Sequence, residues 1–145
     1  MATTVRLYTA DDLWEMSTDE PWEIWEGELR EVGGAGGRAS NLAGVILALI
    51  FPFDWAGGLG MLTGADGTYI VARDPDIVLV PNVAFVRRGR LPDGRIPDRY
   101  VPVPPDLAVE VISPSDRPRE SRRRWRCTGG RGCRWCGGCG RTRGR

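Results

Sequence analysis

The stretch Asp106-Leu107-Ala108-Val109-Glu110-Val111-Ile112, framed by Pro105 and by Ser113-Pro114, leaves the chain few ways to fold. A short apolar run between turn residues reads as one buried β-strand, here with a single carboxylate. Leu107, Val109 and Val111 alternate with Ala108, Glu110 and Ile112, so Glu110 shares a face with two apolar neighbours. A strand this apolar is usually covered on both faces. A carboxylate there is costly unless it is paired, hydrogen-bonded or bound to a metal. Two readings stand at this point. Glu110 is held by a backbone group or an Arg near a strand end, or it serves a site.

The chain has 145 residues, enough for one domain with a real core. It contains no Lys and no His. That removes the commonest general base and the commonest neutral metal ligand. Any metal site must draw on carboxylates, amides, carbonyls or the four Cys. The net charge of +1 hides a split. Residues 1–116 hold 9 Arg against 18 acids, and residues 117–145 hold 11 Arg against 1 acid. All four Cys fall in that basic tail. Such asymmetry often marks a nucleic-acid-binding tail. The N-terminus is polar and acidic, so no signal peptide is expected. The apolar run Leu42 to Phe51 is too short to span a bilayer, and Pro52 and Asp54 are expected to end it. A soluble cytoplasmic protein is the expectation.

Thr9 can cap a short helix, Ala10 to Met16, with Asp11 and Asp12 in the first turn where the helix dipole favours them. Trp22 to Val32 reads as a hairpin turning at Gly27, with Ile24, Leu29 and Val32 inward. Gly33 to Gly37 is a loop; no Lys-Ser or Lys-Thr follows it, so it is no phosphate loop. Arg38 to Phe51 reads as a core helix, since Leu42, Val45, Ile46, Leu49 and Ile50 run nearly all round it. A membrane-surface helix would need a basic face that is missing. Gly57, Gly58 and Gly60 form a loop. Thr68 to Ala72 is a strand, Asp74-Pro75-Asp76 a turn, and Ile77 to Val80 and Val83 to Val86 are apolar pieces interrupted by Pro81-Asn82. A Pro- and Arg-rich loop, 87–105, leads into the strand that carries Glu110. The expected fold is α/β: a single mixed β-sheet flanked by helices, with an incomplete C-terminal part.

Three pieces in this order resemble the Uma family of restriction-endonuclease-like proteins, a bacterial branch of the PD-(D/E)XK nuclease superfamily. They are Trp22-Glu23-Ile24-Trp25-Glu26-Gly27-Glu28-Leu29, Val80-Pro81-Asn82-Val83-Ala84-Phe85-Val86, and Pro105 through Asp116. The resemblance covers residues 8–120 and implies a restriction-endonuclease-like core there, followed by a tail, 121–145, without a fixed fold. It implies Mg²⁺-dependent hydrolysis of DNA phosphodiesters, a reaction in which a divalent cation polarises the phosphate and activates a water. Hard Mg²⁺ takes oxygen ligands, often one or two carboxylates with several waters kept. By resemblance the metal ligands stand at positions 82 and 110, and Glu23 assists. Position 82 expects Asp and holds Asn82, which keeps a carbonyl oxygen without the charge. The family's Lys, expected on a helix after the last strand, has no counterpart. Impaired or absent cleavage follows as an expectation. Members of the superfamily often pair, so a homodimer is a further expectation.

The tail changes composition abruptly. After Ser121 it has no hydrophobic period and consists largely of Gly, Arg, Cys and Trp, the residues of G-rich codons. Pairing the last base of each codon with the first two of the next tests for a lost base. Trp125 with Arg126 must then give Ala or Glu, Cys127 with Thr128 must give Tyr or His, and Trp135 with Cys136 must give Val. Codons ending mostly in G or C write Val-Glu-Ala-Lys-Val-Ala-Leu-Tyr-Arg-Gly-Ala-Gly-Val, a helix with Lys and a glycine stop. We therefore read a one-base loss near Glu120. Two other readings remain. Cys127, Cys133, Cys136 and Cys139 have zinc-like gaps, although Cys136 would serve two of them. The Arg/Gly composition could also bind phosphates without sequence choice, which would make the chain a non-catalytic nucleic-acid-binding protein.

Overall fold

A computed structural model describes residues 6–16, 21–112 and the backbone of 134–135. The expectations for Ser113 to Asp116, the four Cys and most of the tail lie outside these residues. The chain begins with helix α1 (Ala10–Glu15). Its cap is reciprocal: Asp12 N–H donates to Thr9 Oγ1 at 3.1 Å, and Thr9 N–H donates to the Asp12 carboxylate at 2.8 Å. The Thr9 amide bond, with the Thr9 hydroxyl and Arg6 behind it, holds the Asp12 carboxyl below its usual range.

Strands β1 (Trp22–Trp25) and β2 (Glu28–Glu31) form the expected hairpin, with Ile24 opposite Leu29. Both turn residues have positive φ, 52° at Glu26 and 84° at Gly27. That is the turn whose twist suits two antiparallel strands. Ile24 is fully buried, as its inward assignment requires.

The helix read as ending at Phe51 runs further, as α2 (Gly37–Gly57), with Pro52 inside it. Proline lacks the N–H that would bond the carbonyl of Ala48, but Ala48 is exposed and water can take that role. The helix stops where a left-handed residue can stop it. Gly58 has φ 55° and its N–H reaches the carbonyl of Asp54 at 2.7 Å. Nor is α2 the fully buried core helix that its apolar residues suggested. Only Ala39 and Ala43 are buried, while Leu42, Val45, Leu49, Phe51, Phe53 and Trp55 are exposed. At 21 residues α2 has the length and composition of a membrane span, a test that helices of soluble proteins also pass.

The remaining strands are β3 (Gly60–Thr63), β4 (Tyr69–Ala72), β5 (Ile77–Leu79), β6 (Val83–Arg87), β7 (Leu107–Val109) and β8 (Arg134–Trp135). The α/β class stands. The strands divide into two four-stranded sheets, ordered β2-β1-β5-β4 and β3-β6-β7-β8. Among the described strands β7 and β8 alone pair in parallel, and one isolated parallel bridge joins Tyr69 to Val101. The chain passes from one sheet to the other at Val80-Pro81-Asn82, where proline ends the ladder. Strand β3 was not legible in its glycine-rich surroundings. Gly60 is needed there because a Cβ would overlap the carbonyl oxygen of Val86 on β6. Gly60→Ala should cost about 1–3 kcal/mol, as forced overpacking does, and urea unfolding measures it.

Three clusters make the core. Ala10, Leu13, Ile24, Ile70 and Val78 pack beneath α1. Ile77, Leu79 and Ala108, with Trp25 against them, join the two sheets. Met61, Tyr69, Ala84, Val86, Leu91 and Val101 fill the third. Burial pushes the Tyr69 hydroxyl up to about 12, and its oxygen lies 2.7 Å from Thr63 Oγ1.

Candidate active site

The three residues singled out in the sequence lie near the point where the chain changes sheets. Glu23 lies on β1, on the face shared with Trp25, and is 3% exposed. Antiparallel pairing sets Ile24 opposite Val78, which places Glu23 on the face of Leu79. Its Oε1 accepts the Val80 N–H at 2.8 Å and its Oε2 accepts the Trp25 indole N–H at 2.9 Å. Asn82 stands just before β6. Its Oδ1 accepts the Val111 N–H at 2.7 Å. Glu110 is buried just past the end of β7, on the face of Ala108. Val83 pairs with Val109, and extending that register sets Asn82 opposite Glu110 as cross-strand neighbours on one face. Ala108 packs against Ile77 and Leu79, so the faces bearing Glu23 and Glu110 look toward each other across the intersheet core.

These bonds show what Glu23 and Asn82 do locally. Each fixes a backbone N–H that no ladder serves, one on either side of the crossing. A Mg²⁺ centre asks more of the group. It wants carboxylate oxygens turned toward one point with room for waters. Both oxygens of Glu23 already accept a bond, the only oxygen of the Asn82 side chain accepts one, and Asn82 brings no charge. Among the described residues no three carboxylate or thiol side chains converge. With the charge lost at Asn82 and the Glu23 oxygens held by N–H groups, the residues present fit the metal centre that the motif implies only in reduced form.

Two acids that the sequence reading passed over are built more firmly. Asp76, read only as part of a turn, is 4% exposed; its Oδ2 accepts the Ala10 N–H and an Arg73 guanidinium N–H, each at 2.8 Å. The signal was the shortness of the Asp-Pro-Asp turn, whose last residue falls at a strand start. Asp106 opens β7. It accepts Arg87 N–H at 2.9 Å and Arg87 Nε–H at 3.0 Å, with Arg90 Nη1 at 3.0 Å. Burial pushes the Asp106 carboxyl up, but the Arg87 amide and the two guanidiniums outweigh it and hold it below 3.8. A depressed folded value stabilises above 3.8 and is lost as pH falls through it. The stability gap between the native chain and Asp106→Asn should therefore be full above pH 3.8 and shrink below it. Urea titrations from pH 6 to about 2.5 check this.

The fold defines the class first. A solved structure described as "a putative nuclease belonging to DUF820 from Anabaena variabilis" superimposes with a TM-score of 0.64 at 16% identity. The match covers 80% of this chain and 64% of that one. No protein among the curated sequences matches. The chain belongs to the family described as "Uma2: Putative restriction endonuclease", whose model matches residues 9–127.

Proposed function

We propose that this chain carries the fold of a Mg²⁺-dependent DNA endonuclease with its metal centre reduced, and that it cleaves DNA weakly or not at all. The observation behind this is Asn82: it stands where the family motif has Asp, and its one oxygen is tied to Val111 N–H. Membership of a family described as restriction endonucleases supports phosphodiester hydrolysis on DNA as the reaction class, and we take the cytoplasm as its place. In this reading Glu110 is the remaining carboxylate for a cation, Asn82 a weakened ligand, and Glu23 the residue that sets the backbone between them. No Lys is present to stabilise developing charge on the phosphate.

Plasmid nicking with Mg²⁺ or Mn²⁺ tests the proposal. The native chain should not exceed Glu110→Ala. Nicking by the native chain that disappears in Glu110→Ala would refute it. A second reading rests on the tail, where 11 Arg stand against 1 acid: a non-catalytic chain that holds nucleic acid through residues 117–145. Deleting that segment should then abolish salt-sensitive DNA binding.

A further inference from the structure

Position 30 lies just past the motif segment that ends at Leu29, and the motif assigns it no role. Pairing in the β1–β2 hairpin sets Arg30 directly opposite Glu23, and Glu28 opposite Trp25. Opposite residues in a ladder carry their side chains on one face. Arg30 therefore stands on the face of Glu23, the face turned toward that of Glu110 across the intersheet core. We infer that Arg30 is a phosphate-binding residue of this site, holding a backbone phosphate of DNA on a guanidinium seated over Trp25. The inference rests on the reading that DNA is the partner.

The support beneath the arginine is rigid. Its guanidinium carbon lies 4.4 Å from the centroid of the Trp25 ring. The indole is fixed in turn: its N–H donates to Glu23 Oε2 at 2.9 Å, and the ring packs against the cluster of Ile77, Leu79 and Ala108 between the sheets. A guanidinium over a ring is attracted through the π face, which leaves its N–H donors for other partners. Among the described residues those donors meet Glu28 alone, from Nη2 at 3.4 Å, a long bond between exposed side chains. A fork held in place with most of its donors unused suits the oxygens of a phosphate.

The ordinary reading of Arg30 is a surface arginine paired with Glu28, and such a pair contributes little. The distribution of charge favours a larger role. Strands β1 to β7 hold two cations, Arg30 and Arg87. Arg87 stands at the far end of β6 from Asn82 and is taken up by Asp106. Arg30 is thus the one strand cation on the face of Glu23, in a chain without Lys. Carboxylates repel a phosphate, and a cation beside them offsets that repulsion. Strand β2 is an edge of its sheet, so the exposed Arg30 is placed where a duplex backbone can reach it. A guanidinium is no base, so this grip binds DNA without activating a water.

The test modifies the arginines of the full chain with p-hydroxyphenylglyoxal, with and without a short DNA duplex and without divalent cation, and reads each residue by mass spectrometry. With DNA, Arg30 should react at least about five-fold more slowly. Arg99 is the internal control: it also lies over a tryptophan, Trp14 at 4.9 Å, but on the α1 side of the sheet, and its rate should not change. Protection of tail arginines without protection of Arg30 overturns the inference and leaves the nucleic-acid reading standing. Protection of no arginine overturns both. Equal protection of Arg30 and Arg99 is a coating without a site and overturns the inference. Fluorescence anisotropy then follows Arg30→Gln, checked for folding by circular dichroism. Its affinity for the duplex should fall about three- to ten-fold, with the slope of log affinity against log salt shallower by about one. Arg30→Lys, which returns the charge, should recover the slope. An unchanged slope in Arg30→Gln overturns the inference.

Discussion

Glu23→Ala is expected to destabilise the fold by about 2–5 kcal/mol, because it orphans two donors at once. The Val80 N–H is buried at the end of β5, and Glu23 Oε1 accepts it at 2.8 Å. The Trp25 indole N–H donates to Oε2. Alanine accepts neither, and water reaches the site poorly when the side chain it replaces is 3% exposed. Glu23→Gln gives the control. Its amide has one acceptor and one donor end, so one of the two N–H groups must face an NH₂, and the loss should be about half as large. Urea unfolding measures both. A residue kept only to hold a cation would show the opposite: neutralising it would relieve repulsion and leave stability level or raised. A Glu23→Ala loss under about 1 kcal/mol, within the range of ordinary surface substitutions, would remove the structural role argued here.

What could be read in the sequence follows from how local each signal is. The β1–β2 hairpin rests on a two-residue turn and alternation over a few positions, and α1 on a Thr9-Asp12 capping pair; both were legible. The two apolar pieces around Pro81 were legible as strands. Their assignment to different sheets was not, because alternation reports which face a residue takes and not which neighbour its strand finds. Apolar content made α2 read as buried, yet burial depends on what packs against it, and apolar side chains alone do not say which of them find a neighbour. The end of α2 was misplaced because Pro52 sits inside the helix, which runs on to Gly57 before the left-handed Gly58 stops it. Glu23, Asn82 and Glu110 were singled out through their motif. The backbone N–H groups that bond to the first two come from positions 57 and 29 residues away, and no local pattern announces them.

Asp76→Ala should cost about 2–4 kcal/mol and release α1 before the rest of the fold. The carboxylate caps that helix from outside it. Ala10 N–H, the first helical amide, finds no acceptor within α1 and donates 2.8 Å to Asp76 Oδ2. Thr9 and Asp12 serve each other, so neither can substitute. On its other side Asp76 meets Arg73 at 2.8 Å, while its own carbonyl receives Gly27 N–H at 2.9 Å. One residue thus ties helix, hairpin turn and β5 together, and α1 in turn covers Ile24, Ile70 and Val78. Arg73→Ala should cost far less, since Arg73 is half-exposed and its pairing is screened by water. Hydrogen exchange separates the two effects. In Asp76→Ala the amides of Leu13 to Met16 should lose protection while those of β6 and β7 keep it. Uniform loss across the chain would mean that α1 has no independent opening and that the whole fold melts as one unit.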